Sequence, residues 1–166
     1  MSSKNYILSK ETAAKKLNRM AYEIVERNAR ETELIIAGIK ANGIVIANKI
    51  AALLKPIFPG KISVIEISLD KKNPFDINIH PQAELNDKIV IIVDDVANTG
   101  KTLLYALKPF LLAYPKKIQT LVLVERTHKL FPVKSDYVGL SIGTALQEQI
   151  IVEVDKAEVT GAYIIV

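Results

Sequence analysis

The stretch Ile89–Thr102, IVIIVDDVANTGKT, decides how the chain folds. It begins with an unbroken run of Ile and Val, the pattern of a strand buried on both faces. Asp94 and Asp95 follow, and then a turn of small residues, Ala97, Asn98, Thr99 and Gly100, opens a helix with Lys101 and Thr102. Such a turn offers backbone N–H groups, the Thr99 and Thr102 hydroxyls and a helix N-terminus to a phosphate. The two carboxylates beside it suit sugar hydroxyls or a divalent cation. A phosphorylated sugar is the ligand that needs both.

Gly100, Lys101 and Thr102 also match the end of the nucleotide-binding P-loop. That motif needs a glycine where this chain has Asp95, and a carboxylate there would face a phosphate, which argues against it. A purely structural reading, with the strand as core and the acids as helix caps, leaves the order acid, acid, T-G-K-T without a reason.

Outward from this centre the chain alternates strand and helix. Ser9 caps a helix from Lys10 to about Asn28, with Ala13, Leu17, Met20, Ala21, Ile24 and Val25 on one face. Leu34–Ile39 reads as a buried strand, Ile44–Leu54 as a helix stopped at Pro56, and Ile62–Leu69 as a strand. Asp70–Asp87 is a polar segment broken by Pro74 and Pro81. Beyond the central motif come a helix over Thr102–Leu112 and a strand over Ile118–Val124. Short extended pieces follow at Tyr137–Ile142, Ile150–Val154 and Ala162–Val166. This alternation predicts an α/β fold with a central, mainly parallel sheet flanked by helices and ligands at the carboxyl ends of its strands.

At 166 residues, 49% of them hydrophobic and 24% charged, the chain has the size of one domain, residues 1–166, with a substantial core. With no cysteine it carries neither a disulfide framework nor a thiolate metal site, which fits a reducing cytoplasm. No signal-peptide pattern and no run long enough to span a bilayer is found, so a soluble cytoplasmic protein is expected. The net charge of +4 mildly favours anionic partners, phosphate esters and RNA alike. A second anion-loop candidate, Gly38–Gly43 (GIKANG), lies between the first buried strand and its helix. Its glycines and Lys40 suit pyrophosphate, and a simple turn would read the same way.

The run from Asp94 to Thr102 resembles the phosphoribosyl pyrophosphate (PRPP) signature of the type I phosphoribosyltransferases. Four further stretches match in order: Leu17–Asn28, Gly38–Gly43, Val124–Val133 and Asp136–Leu140. Within that class the chain is most similar to the PyrR-type pyrimidine operon attenuation regulators, which also have uracil phosphoribosyltransferase activity. The resemblance implies the type I phosphoribosyltransferase fold, with a small hood formed mainly by about residues 125–150. It also implies transfer of ribose 5-phosphate from PRPP to uracil with release of pyrophosphate, assisted by Mg²⁺, in a homo-oligomer, a dimer being the first guess. A purine or other-base transferase remains open, as does a nucleotide-sensing RNA-binding regulator with little catalysis.

Residue by residue, the resemblance assigns the ribose, catalytic and metal roles to Asp94 and Asp95, and PRPP binding to Ala97, Asn98, Thr99, Gly100, Lys101 and Thr102. It assigns pyrophosphate to Lys40, Ala41, Asn42 and Gly43, and the nucleobase to Tyr137 and Val138. A basic face that meets pyrimidine-operon leader RNA falls on Arg19, Arg27 and His128, with Arg126, Lys129 and Lys134 nearby. Some positions depart from the pattern. Asn42 stands where an arginine is usual, and Asp70 and Lys71 stand where a closing flap carries a tyrosine and an arginine. Lys71 and Lys72 are then the flap's candidates for neutralising pyrophosphate. Asn98 replaces the aspartate that commonly meets the purine ring in purine-using relatives.

Overall fold

The computed structural model describes residues 4–166. In chain order the elements are β1 (Asn5–Ser9), α1 (Lys10–Arg27), β2 (Glu33–Ile39), α2 (Asn42–Leu54), β3 (Lys61–Leu69), β4 (Ile77–His80) and β5 (Ile89–Ala97). They continue with α3 (Lys101–Ala106), α4 (Lys108–Leu111), β6 (Lys117–Arg126), β7 (Tyr137–Ile142), β8 (Gln149–Asp155) and β9 (Glu158–Ile165). Six strands form one sheet in the order β4-β3-β2-β5-β6-β7, and three form a second in the order β1-β9-β8. All neighbours in the large sheet run parallel except β4, which is antiparallel to β3.

The apolar run of β5 is the centre of this sheet because both of its faces are covered. Ile89, Ile91 and Val93 join Leu17, Met20, Ile24, Ile46 and Ile50 of α1 and α2 in one core cluster. Val90 and Ile92 point the other way, into a cluster with Leu103, Ala106 and Phe110 of α3 and α4. Successive side chains of a strand point to opposite faces, so an uninterrupted Ile/Val run can serve two cores at once. The first core also takes in Leu8, Ile150, Val152, Val159, Ala162 and Ile164, and thereby fastens the small sheet to the large one.

Ser9 caps α1 as expected, its Oγ accepting the Thr12 N–H at 3.1 Å. Elsewhere the structure corrects the sequence reading. The helix expected over Thr102–Leu112 is two short pieces, because Pro109 has no N–H for the carbonyl one turn back and ends the regular ladder. The polar segment 70–87 contains β4, a short edge strand stabilised by its pairing with β3. The small second sheet is built from residues 5–9, 149–155 and 158–165. It joins β1 to the last two strands, β9 and β8. Tyr137–Ile142 is a parallel edge strand of the main sheet beside β6. No helix among the described residues is long and apolar enough to cross a membrane.

Candidate functional site

At the carboxyl ends of β2 and β5, opposite β8, lies a cavity of about 280 Å³ lined by Asn42, Lys71, Asp95–Gly100, Thr102, Leu103 and Ile150–Val152. Both acids sit inside β5 rather than after it, so the strand delivers them already desolvated: Asp94 is 1% exposed and Asp95 9%. Asp94 Oδ1 accepts the Asp95 N–H at 2.9 Å, whereas its buried Oδ2 has no hydrogen-bond partner. Burial first, and then the Asp95 charge, raise the Asp94 carboxyl well above the usual carboxylate range, with Lys71 opposing them. Asp95 Oδ1 accepts the Val96 N–H at 2.9 Å and its Oδ2 accepts from Asn42 Nδ2 at 2.9 Å.

The turn after β5 has the shape the sequence implied. Gly100 adopts φ +83°, a left-handed conformation that favours glycine, and a Cβ there would lie 2.8 Å from Val133 Cγ1. Thr99 Oγ1 accepts the Lys101 N–H at 3.2 Å, and the Thr99 carbonyl accepts from the Leu130 and Phe131 N–H groups at 2.9 and 3.0 Å. The segment after β6 thus braces the turn from outside. Asn98 Oδ1 is buried and has no partner. Ala97, Asn98, Thr99, Gly100 and Thr102 line the cavity, and Lys101 does not.

The Lys40–Gly43 turn reaches the same place by a close approach. A Cβ on Gly43 would lie 2.6 Å from the Val93 carbonyl oxygen and 3.3 Å from Asp94 Oδ1, so only glycine lets α2 start this near the acids. The Lys40–Ala41 peptide is cis, and the Lys40 N–H donates to the Ile67 carbonyl at 2.9 Å. Of the four residues expected at pyrophosphate, Asn42 lines the cavity while Lys40 and Ala41 are exposed beside it.

The expected base contacts are not brought to this cavity. Tyr137 is fully buried, its hydroxyl donating to Gln119 Oε1 at 2.8 Å and accepting from Asn28 Nδ2 at 3.2 Å. Burial pushes its phenol up to about 12, so it is a neutral structural group. Val138 packs into the α3/α4 core. The apolar wall of the cavity is instead Ile150–Val152 of β8, a role the sequence did not mark because an apolar run does not disclose which sheet it joins.

The predicted RNA face is also dispersed. Arg19 pairs with Glu23 and donates to the Val138 and Gly139 carbonyls at 2.9 and 3.1 Å. Arg27 donates to the Asp136 carbonyl at 3.1 Å and lies over the Tyr137 ring, 5.0 Å from its centroid. Both arginines therefore hold the beginning of β7 against α1. His128 lies past the other end of β6 and is exposed. Arg126 donates to the Glu148 carbonyl and Lys129 pairs with Glu125 at 2.8 Å, leaving the exposed Lys134 as the other outward basic group of that region. No cluster of three or more metal-ligating side chains occurs among the described residues, so Asp94 and Asp95 stand as a two-carboxylate set.

The fold, with an acidic pair, a small-residue turn and a cavity between its two sheets, is that of a phosphoribosyltransferase. The chain belongs to the phosphoribosyl transferase domain family, whose model matches residues 3–157, and to the PyrR-like group within it. It is similar to the bifunctional protein PyrR of Latilactobacillus sakei, 36% identical over 164 residues that cover 92% of each chain. The bifunctional protein PyrR of Clostridioides difficile is 33% identical over 171 residues, covering 97% of this chain and 96% of that one. The fold is that of a hypoxanthine-guanine phosphoribosyltransferase from Bacillus anthracis, with a TM-score of 0.76 at 19% identity over 100% of both chains. It is also shared with the hypoxanthine phosphoribosyltransferase of Trypanosoma cruzi, with a TM-score of 0.75 at 17% identity over 86% of this chain and 84% of that one.

Proposed function

We propose that this phosphoribosyltransferase transfers ribose 5-phosphate from PRPP to uracil and releases pyrophosphate. The observation that supports the reading is one cavity lined by Asp95, by Ala97–Gly100 and Thr102 of the turn and by the Ile150–Val152 wall, with Asp94 buried next to Asp95. The turn receives the 5′-phosphate on its backbone N–H groups and on the Thr99 and Thr102 hydroxyls. Asp94 and Asp95 hold the ribose hydroxyls, and the Lys40–Gly43 turn faces the pyrophosphate. The base lies against Ile150–Val152, with the unpartnered Asn98 amide available to a polar edge. The bond from the anomeric carbon to the pyrophosphate oxygen breaks, a bond to a ring nitrogen of uracil forms, and that nitrogen's proton passes to solvent. Positive charge develops on the ribose meanwhile, and holding the partners in line supplies most of the acceleration.

A Mg²⁺ ion suits this arrangement, because Asp94 Oδ2 is a buried oxygen without a partner and oxygen is the ligand that Mg²⁺ prefers. Asp94 and Asp95 would hold it together with substrate oxygens and water. When bound, it supplies charge to stabilise the leaving pyrophosphate.

Incubation with PRPP, Mg²⁺ and each nucleobase separately tests the substrate. Nucleotide formation with uracil is expected, and product with hypoxanthine or guanine but none with uracil would overturn the reading. A second activity, nucleotide-dependent binding of pyrimidine-operon leader RNA, is favoured by the identity with bifunctional PyrR proteins over nearly the whole chain. Affinity for that leader should fall steeply with salt, because phosphate contacts release counterions. Equal affinity for a scrambled RNA, indifferent to uridine nucleotide, would leave only the transferase.

A further inference from the structure

Asp94 is the most deeply buried carboxylate of the site, and its ion pair among the described residues is with Lys71, Nζ to Oδ1 at 3.8 Å. Lys71 belongs to the connection between β3 and β4, and its side chain is 49% exposed. A distance of 3.8 Å exceeds a hydrogen bond, so the ammonium is a nearby counter-charge and not a locked partner. Lys71 lines the cavity, whereas the adjacent Lys72 does not.

The connection is held in place by contacts away from the acids. The Lys72 N–H donates to Asp70 Oδ1 at 2.9 Å, and Lys108 Nζ donates to the Phe75 carbonyl at 3.2 Å. The Phe75 ring meets Tyr105 edge-on, their centroids 6.4 Å apart. The segment therefore stands on α3 and α4 and directs one ammonium at the site from above.

A buried carboxylate needs a positive partner, and two cations crowding one carboxylate repel each other. We infer that Lys71 is the resident cation of the acidic pair: in the empty site it competes with divalent ions for Asp94, and it gives way when a cation arrives together with the anionic substrate. This deepens the proposed transferase reading and rests on Asp94 and Asp95 being its ribose and cation site. Lys71 is a positioning residue in this account. It keeps the free protein from loading a divalent ion prematurely, and once displaced it is free to face the departing pyrophosphate.

The test is Mn²⁺ binding to the free protein without PRPP, followed by electron paramagnetic resonance, for the wild type and for Lys71→Gln, Lys71→Arg and Lys72→Gln. Lys71→Gln should bind Mn²⁺ about tenfold more tightly than wild type, since half exposure of the ammonium limits what its removal can gain. Lys71→Arg should stay near wild type, and Lys72→Gln should change little. Adding Asp94→Asn to Lys71→Gln should abolish the gain. A Lys71→Gln protein that binds Mn²⁺ no better than wild type, or an equal rise in Lys72→Gln, overturns the inference. Because no nucleobase or PRPP is present, this outcome is separate from that of the uracil assay.

Discussion

Asn42 and Asp95 are joined across the site: the Asn42 amide donates to Asp95 Oδ2 at 2.9 Å and also to the Val152 carbonyl at 3.2 Å. One side chain thus ties the start of α2, the acidic pair of β5 and the β8 wall. Asn42→Ala should cost about 1–2 kcal/mol of stability and raise KM for PRPP, because two acceptors lose their donor. Asn42→Asp should cost more, since it sets a carboxylate against Asp95. Thermal unfolding with initial-rate kinetics checks both, and an Asn42→Asp protein equal to wild type would refute the linking role.

Asp94→Asn should lower turnover by roughly 10²-fold or more, through loss of a charge that serves the ribose and the metal. Its effect on stability should have the opposite sign. The folded-state value of the Asp94 carboxyl is raised, mainly by burial, so the folded protein holds that proton more firmly than the unfolded chain does. Its contribution to stability is complete below the unfolded value of about 4 and is lost as pH rises through the raised folded value. The asparagine variant lacks this loss, and its unfolding temperature should match or exceed wild type at neutral pH, with the advantage shrinking toward pH 4. A variant less stable at neutral pH than in acid, relative to wild type, would contradict this sign.

The two glycine turns should differ in what they damage. Gly43→Ala pushes a Cβ against the Val93 carbonyl oxygen and should destabilise by about 1–3 kcal/mol as α2 moves away from the acids. Gly100→Val combines a disfavoured φ with a clash against Val133 and should abolish PRPP binding in calorimetry. Undiminished binding would reject the assignment of the Ala97–Thr102 turn to phosphate.

Tyr137 and Ile151 separate scaffold from base wall. Tyr137→Phe should cost about 1–3 kcal/mol, since Gln119 and Asn28 lose a buried partner, while leaving KM for uracil unchanged. Ile151 lines the cavity, and under the proposed base wall Ile151→Ala should raise KM for uracil several-fold with KM for PRPP little altered. The reverse pattern would restore Tyr137 as the base contact.

Much of this was legible in the sequence because local chemistry marks it. The Ile/Val run of β5, the Ser9 cap and the glycine turn at Gly100 each carry their own physical reason, and the structure places them accordingly. What escaped was set by distant partners. β1 buries one leucine, Leu8, deeply and exists by pairing with β9. β4 is a four-residue edge strand. Ile150–Val152 reads as strand, but its face follows from which sheet accepts it. Arg19 and Arg27 look like a basic surface on a helical wheel, and only the tertiary structure reveals the carbonyls that take their donors, Val138 and Gly139 in β7 and Asp136 just before it.

The pairing of Asn5 with Ile164 closes the small sheet with the first and last strands of the fold. During synthesis on the ribosome β1 emerges before the other described strands and waits for β9, so this sheet cannot form until all of them have been made. The cavity wall shares that sheet through β8. The cavity is therefore completed only after β8 and β9 have been made, and a nascent chain that stalls before them has the β5 acids and their turn with one side of the cavity open.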